Sequence, residues 1–156
     1  MKTPSLEPLQ LLMQREQQHC DQAQAALQRA GEAAGRARLQ HEQLLAYRGQ
    51  YEERWTQQFA QGGSMDLLHC YRSFMLRLDQ ALAMQARQVE LAERQCEHAR
   101  QALLECERRA ASVRKLMERR LAELAQAGRQ RDQKLSDEQA QRMRWQGTLP
   151  GRLLPH

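Results

Sequence analysis

Residues 55–71 read WTQQFAQGGSMDLLHCY, and they hold the only adjacent glycine pair in the chain, Gly62-Gly63. Glycine just past a helix, then Ser64 as a cap and Asp66 in the next first turn, is a stop-and-restart signature. Thr3, Pro4, Ser5 and Pro8 mark an earlier helix start, because serine caps and proline is tolerated in a first turn. No further proline follows before Ala60. The spacing predicts a first helix over 5–61, a turn at 62–64 and a second helix over 65–145. The tail 146–156 contains GTLPGRLLPH and is expected to be disordered.

Composition says what such helices can bury. Of 156 residues only seven are aromatic, and valine occurs just at Val89 and Val113. Leu, Ala, Gln, Glu and Arg dominate, all good helix formers. Large side chains are too few for a thick core, so a narrow seam between long helices is expected. The net charge is +5, from 24 basic and 19 acidic residues that alternate in sign along helical faces. That pattern fits a solvated helix surface better than a nucleic-acid surface. The run RRAASVRKLMERR at 108–120 is basic, yet Glu107, Glu118 and Glu123 interleave with it. It lacks the Asn and aromatic residues that read or stack on bases.

The apolar residues fix the register. Alternate steps of three and four from Leu68 run through Tyr71, Met75, Leu78 and Leu82 to Leu124 and Ala127, and only Gln85 and Arg120 are not apolar. The first helix keeps the same period from Leu9 to residue 58, interrupted by Glu16, His41, Arg48 and Gln58. Alanines at 23, 30, 34, 37 and, on the facing helix, 99 would let the helices approach closely. Two heptad helices joined by three or four residues must fold back on each other. The expected fold is all-α, an antiparallel coiled-coil hairpin with residue i opposite about 125 − i. Its first helix would be about 85 Å long at 1.5 Å per residue. The second helix is longer, so Leu121 to Arg144 should overhang, and so polar a stretch must be solvated, frayed or docked on another protein.

Sites for chemistry are not legible. Cys20, Cys70, Cys96 and Cys106 have no CxxC spacing, and the pairs His19-Cys20 and His69-Cys70 point about 100° apart on a helix, too far to share a metal. They read as seam cysteines, reduced in the cell, with the register bringing Cys20 close to Cys106. No phosphate loop, GxSxG or nucleophile–base set occurs, so no catalytic, metal or cofactor-binding residue is assigned and an enzyme is not expected. No stretch reaches the roughly 18–20 apolar residues of a membrane helix, and no leader sequence is evident. A cytoplasmic protein is expected.

Six of the seven aromatics (Tyr47, Tyr51, Trp55, Phe59, Tyr71 and Phe74) flank the glycine turn. Tyr51, Trp55 and Tyr71 lie on the seam and are expected to close the hairpin end. Tyr47 and Phe74 sit one position off it, on the shoulder of the coil, with Gln40 and Ala81 continuing the stripe one heptad away. That stripe is either a binding patch or simple shoulder packing.

The segments LLAYRGQYEERW, YRSFMLRLDQAL and KLMERRLAELAQAGRQRDQKLSDEQAQRM, in this order, resemble the flagellar type III export protein FliJ over about residues 1–145. The injectisome counterpart is the nearest alternative family. The resemblance implies a non-enzymatic stalk like that of rotary ATPases, without cofactor. Its partners would be the export ATPase hexamer, whose assembly it promotes, the cytoplasmic linker of the export gate, and substrate chaperones. It would be peripheral at the cytoplasmic membrane face. Carried over by position, the gate-contact face is Gln40, Leu44, Tyr47, Tyr51, Phe74, Leu78, Ala81 and Gln85, and the family often has His or another polar residue at the last of these. The ATPase would be met by the helix ends, near Leu9 and Leu121 to Arg144. A self-associating structural coil and a nucleic-acid-binding coil are the competing functions.

Overall fold

The computed structural model describes residues 5–147. They form helix α1 (Glu7–Ala60) and helix α2 (Met65–Gly147), which pack against each other, with no strand among the described residues. Part of the expected disordered tail, residues 148–156, lies outside them, and α2 continues through Gln146 and Gly147.

The turn is built as its residues dictate. α1 closes on bonds from the Gln61 N–H to the Gln58 carbonyl and from the Gly62 N–H to the Phe59 carbonyl, both 3.2 Å. Gly62 then takes φ +102°, a left-handed conformation that costs a residue with a Cβ about 1–2 kcal/mol. Ser64 restarts the chain: its Oγ accepts from the Leu67 N–H at 3.2 Å, and its carbonyl accepts from the Leu68 N–H at 3.1 Å. Ser5 Oγ likewise accepts the Glu7 N–H at the start of α1, at 3.2 Å.

The described residues divide into two compact units, residues 15–110 and residues 5–14 with 111–147. In the first, α1 and α2 run antiparallel on either side of the turn. Cross-helix partners such as Tyr51 with Phe74, Trp55 with Tyr71 and Glu16 with Arg109 all fall near the 125 − i pairing. Met75, Leu78, Leu82, Cys106, Ala110, Cys20 and Ala34 are its buried residues. Every α1 seam position in this unit is withdrawn from solvent except Gln58. Phe59 turns inward in its place, for a physical reason. A ring removes far more apolar surface from water than an amide does, and the missing Cβ of Gly63 makes room for it. A Cβ there would lie 2.8 Å from Phe59 Cδ1.

In the second unit, Leu9, Met13 and Met117 are half-buried and Val113 is buried. Arg120, the polar residue of the α2 seam, is exposed. Its register partner would be residue 5, before α1 begins at Glu7. From Arg129 to Gly147 every residue is exposed and helical, so this stretch is solvated and not frayed. Leu135, Met143 and Trp145 stand among its exposed residues, Trp145 at 80 %.

Candidate functional site

Within the unit of residues 15–110, the aromatics form one ladder. Down α1 the ring centroids are spaced 5.4 Å from Tyr47 to Tyr51, 6.3 Å from Tyr51 to Trp55 and 5.5 Å from Trp55 to Phe59. Their i,i+4 spacing places each ring over the turn before it. α2 supplies the other two. Phe74 stacks on Tyr51 at 4.3 Å with the planes 27° apart, and Tyr71 meets Trp55 at 5.2 Å and Phe59 at 5.8 Å, edge-on in the second case. Stacked and edge-to-face pairs at these separations add about 0.5–1.5 kcal/mol each beyond area burial.

The ladder is not equally covered along its length. Tyr51, Trp55, Phe59, Tyr71 and Phe74 are half-buried, whereas Tyr47 at the end remote from the turn is 44 % exposed. Of the two shoulder aromatics, then, Phe74 is committed to packing on Tyr51 while Tyr47 presents a ring edge to solvent. Around Tyr47 the carried-over residues separate by depth. Gln40 and Ala81 are exposed, Leu44 and Gln85 are half-buried, and Leu78 is a seam residue at 7 % exposure that supports the face from below.

Gln85 has a definite job. Its Nε2 donates to the Ala37 carbonyl at 3.0 Å and to Gln40 Oε1 at 3.2 Å, both on α1. A seam amide placed among alanines would leave buried donors unpaired, and these two bonds satisfy them while orienting Gln40. Beside this pair Gln40, Gln43, Leu44 and Gln85 line a shallow groove.

Beside the face stand ion pairs that periodicity alone does not reveal, two of them spanning the helices. Arg48 Nε lies 2.7 Å from Asp79 Oδ1 on α2, and its Nη1 lies 3.3 Å from Glu52 Oε2. The hydrogen bond to Asp79 holds the guanidinium above its ordinary value, helped by that carboxylate's charge. Arg38 pairs with Glu93 at 3.3 Å. As a sequence letter Arg48 is an interruption of the heptad; in the fold its half-buried stem lies along the seam and its head reaches Asp79. The signal that could have found it is the acid at 79, near 125 − 48.

Among the described residues no cluster of His, Cys, Asp and Glu could hold a metal ion, and no helix is long and apolar enough to cross a membrane. No curated protein and no solved structure matches the chain. The family described as the flagellar FliJ protein matches residues 5–148. That match spans nearly all of the two helices, so the chain belongs to the FliJ family and is a component of the flagellar export apparatus.

Proposed function

We propose that this chain is a cytoplasmic stalk of the flagellar export apparatus, peripheral to the inner membrane and without catalysis. In this reading the helix ends near Leu9 and Leu121 to Arg144 engage the export ATPase and promote its hexamer. The face of Gln40, Leu44, Tyr47, Tyr51, Phe74, Ala81 and Gln85 meets the cytoplasmic linker of the export gate, with Leu78 beneath it. Substrate chaperones are further partners.

The observation that carries the reading is the exposed ring of Tyr47 on an otherwise packed aromatic ladder. Tyrosine on a rigid support contributes area at low entropic cost, which is what interface anchors do. The solvated helix from Arg129 to Gly147, exposed on every side, supports an engagement with a second protein. Tyr47→Ala tests the gate contact: it should leave helicity unchanged and weaken capture of the gate's cytoplasmic portion at least tenfold. Unchanged capture with intact helicity would sink the gate assignment. Truncation after Arg120 tests the other end, and stimulation of purified ATPase turnover should be lost. If stimulation survived, the helix ends would have no part in it.

A further inference from the structure

The proposed contacts do not use the cysteines, and two of these are placed unlike the others. Cys20 on α1 and Cys106 on α2 are both buried, at 9 % and 7 % exposure, and pack in one cluster with Ala110 and Ala23. Cys70 is exposed and Cys96 half-buried. The cluster's other members are alanines, so nothing bulky holds the two thiols apart. Around Cys106 stands a polar collar. Arg109 Nη2 donates to Cys106 Sγ at 3.4 Å, and Arg109 Nε lies 3.7 Å from Glu16 Oε2. That carboxylate oxygen is buried without a hydrogen bond, and His19 Nδ1 lies 3.9 Å from it.

A seam built only for packing has no use for a guanidinium donor on a thiol sulfur. We propose that Cys106 and Cys20 are an oxidisable pair that closes a disulfide between the two helices on exposure to hydrogen peroxide. Cys106 is the attacking thiol, since the Arg109 head is there to accompany a negative sulfur. Cys20 is the resolving thiol. Burial pushes its thiol up, with Cys106, Glu107, Glu16 and Asp21 adding to the effect, so it stays protonated until it reacts.

The steps balance. Cys106 Sγ attacks one peroxide oxygen, the O–O bond breaks, and the departing hydroxide takes the thiol proton as water, leaving a sulfenic acid. Cys20 Sγ then attacks Cys106 Sγ, the S–O bond breaks, and the hydroxyl leaves as water with the Cys20 proton. Two thiols lose two electrons and two protons, and one peroxide becomes two waters. The product ties α1 to α2 within the unit of residues 15–110, at the part of the hairpin farthest from the turn. A cross-link closing so long a loop restricts the unfolded chain strongly.

The test uses the full chain carrying Cys70→Ala and Cys96→Ala, treated with hydrogen peroxide and then alkylated. Labelled thiols should fall from two to none, the intact mass should drop by two hydrogens, and digestion should yield residues 20 and 106 in one linked peptide. The midpoint of thermal unfolding should rise, and a reductant should reverse all four changes. Adding Cys106→Ala should leave Cys20 fully labelled after the same treatment, with circular dichroism checking that the helices persist. Retention of both thiols, linkage between chains, or a sulfinic acid at Cys106 without a bridge would each overturn the proposal.

Discussion

Two stretches of the same seam hold the helices together in opposite ways. Near the turn, six rings from Tyr47 to Phe74 interlock at centroid distances of 4.3–6.3 Å. Farther along, small residues dominate the seam, with Ala23, Ala30, Ala34 and Ala37 on α1 and Ala92, Cys96, Ala99 and Cys106 on α2, and Leu27, Val89 and Leu103 the larger side chains among them. The first stretch gains from large buried rings, the second from close approach, and Ala34 at 2 % exposure is the most deeply buried residue of the core. One heptad pattern therefore encodes two kinds of joint, and they should fail differently. The ring joint is damaged by removing atoms and the alanine joint by adding them.

Trp55→Ala carries the largest expected loss, because Trp55 touches Tyr51, Phe59 and Tyr71. Full truncation of a core aromatic costs about 3–5 kcal/mol, and for a half-buried one about 2–3 kcal/mol is expected, read as a lower urea midpoint. Ala34→Leu should cost less, about 1–3 kcal/mol, by forcing the helices apart. If Ala34→Leu were neutral, the close-approach account of this stretch would be wrong. Gly31→Ala, three residues earlier, should have the opposite sign. Nothing lies within 4 Å of a Cβ there, so helix propensity alone decides, with a gain of about 0.5–1 kcal/mol.

The smallest effect concerns pH. Burial raises the Cys20 thiol from its ordinary value of 9.0, so the folded chain holds this proton more tightly than the unfolded one. The associated stability is complete below about pH 9 and is lost as pH climbs through the raised folded value. Cys20→Ala should flatten that alkaline decline without altering stability's course near neutrality. At pH 8 the exposed Cys70 should alkylate first and Cys20 last.

The hairpin was readable because its cause is periodic. Apolar residues at three-four spacing on both sides of Gly62-Gly63 allow one folding back, and the pairing near 125 − i follows from it. What the letters could not convey was depth. Gln58 and Phe59 are adjacent, and which one turns inward depends on the vacancy at Gly63. Tyr47 and Phe74 occupy equivalent shoulder positions, yet Phe74 finds Tyr51 to stack on and Tyr47 retains a solvent edge. Polar seam letters were similarly ambiguous. Arg48 and Gln85 look like breaks in a stripe until Asp79 and the Ala37 carbonyl, both far along the chain, are brought opposite them. Trp145, the seventh aromatic, falls on the same three-four step carried past Ala127 yet stands exposed, with no α1 position left in the 125 − i register to cover it, so periodicity alone could not give its depth.

The tight turn at Gly62 also sets an order of events in time. In a hairpin, loop length grows with distance from the turn, and the contact between Trp55 and Tyr71 closes a loop about one-fifth as long as Cys20 with Cys106. The difference in closure entropy is about 1.4 kcal/mol, favouring the ring joint as the place where pairing begins. The chain should then zip outward from the aromatics, each new heptad paying for one short extension rather than a long search. Trp55→Ala should accordingly slow refolding in stopped-flow, whereas Ala34→Leu should chiefly hasten unfolding.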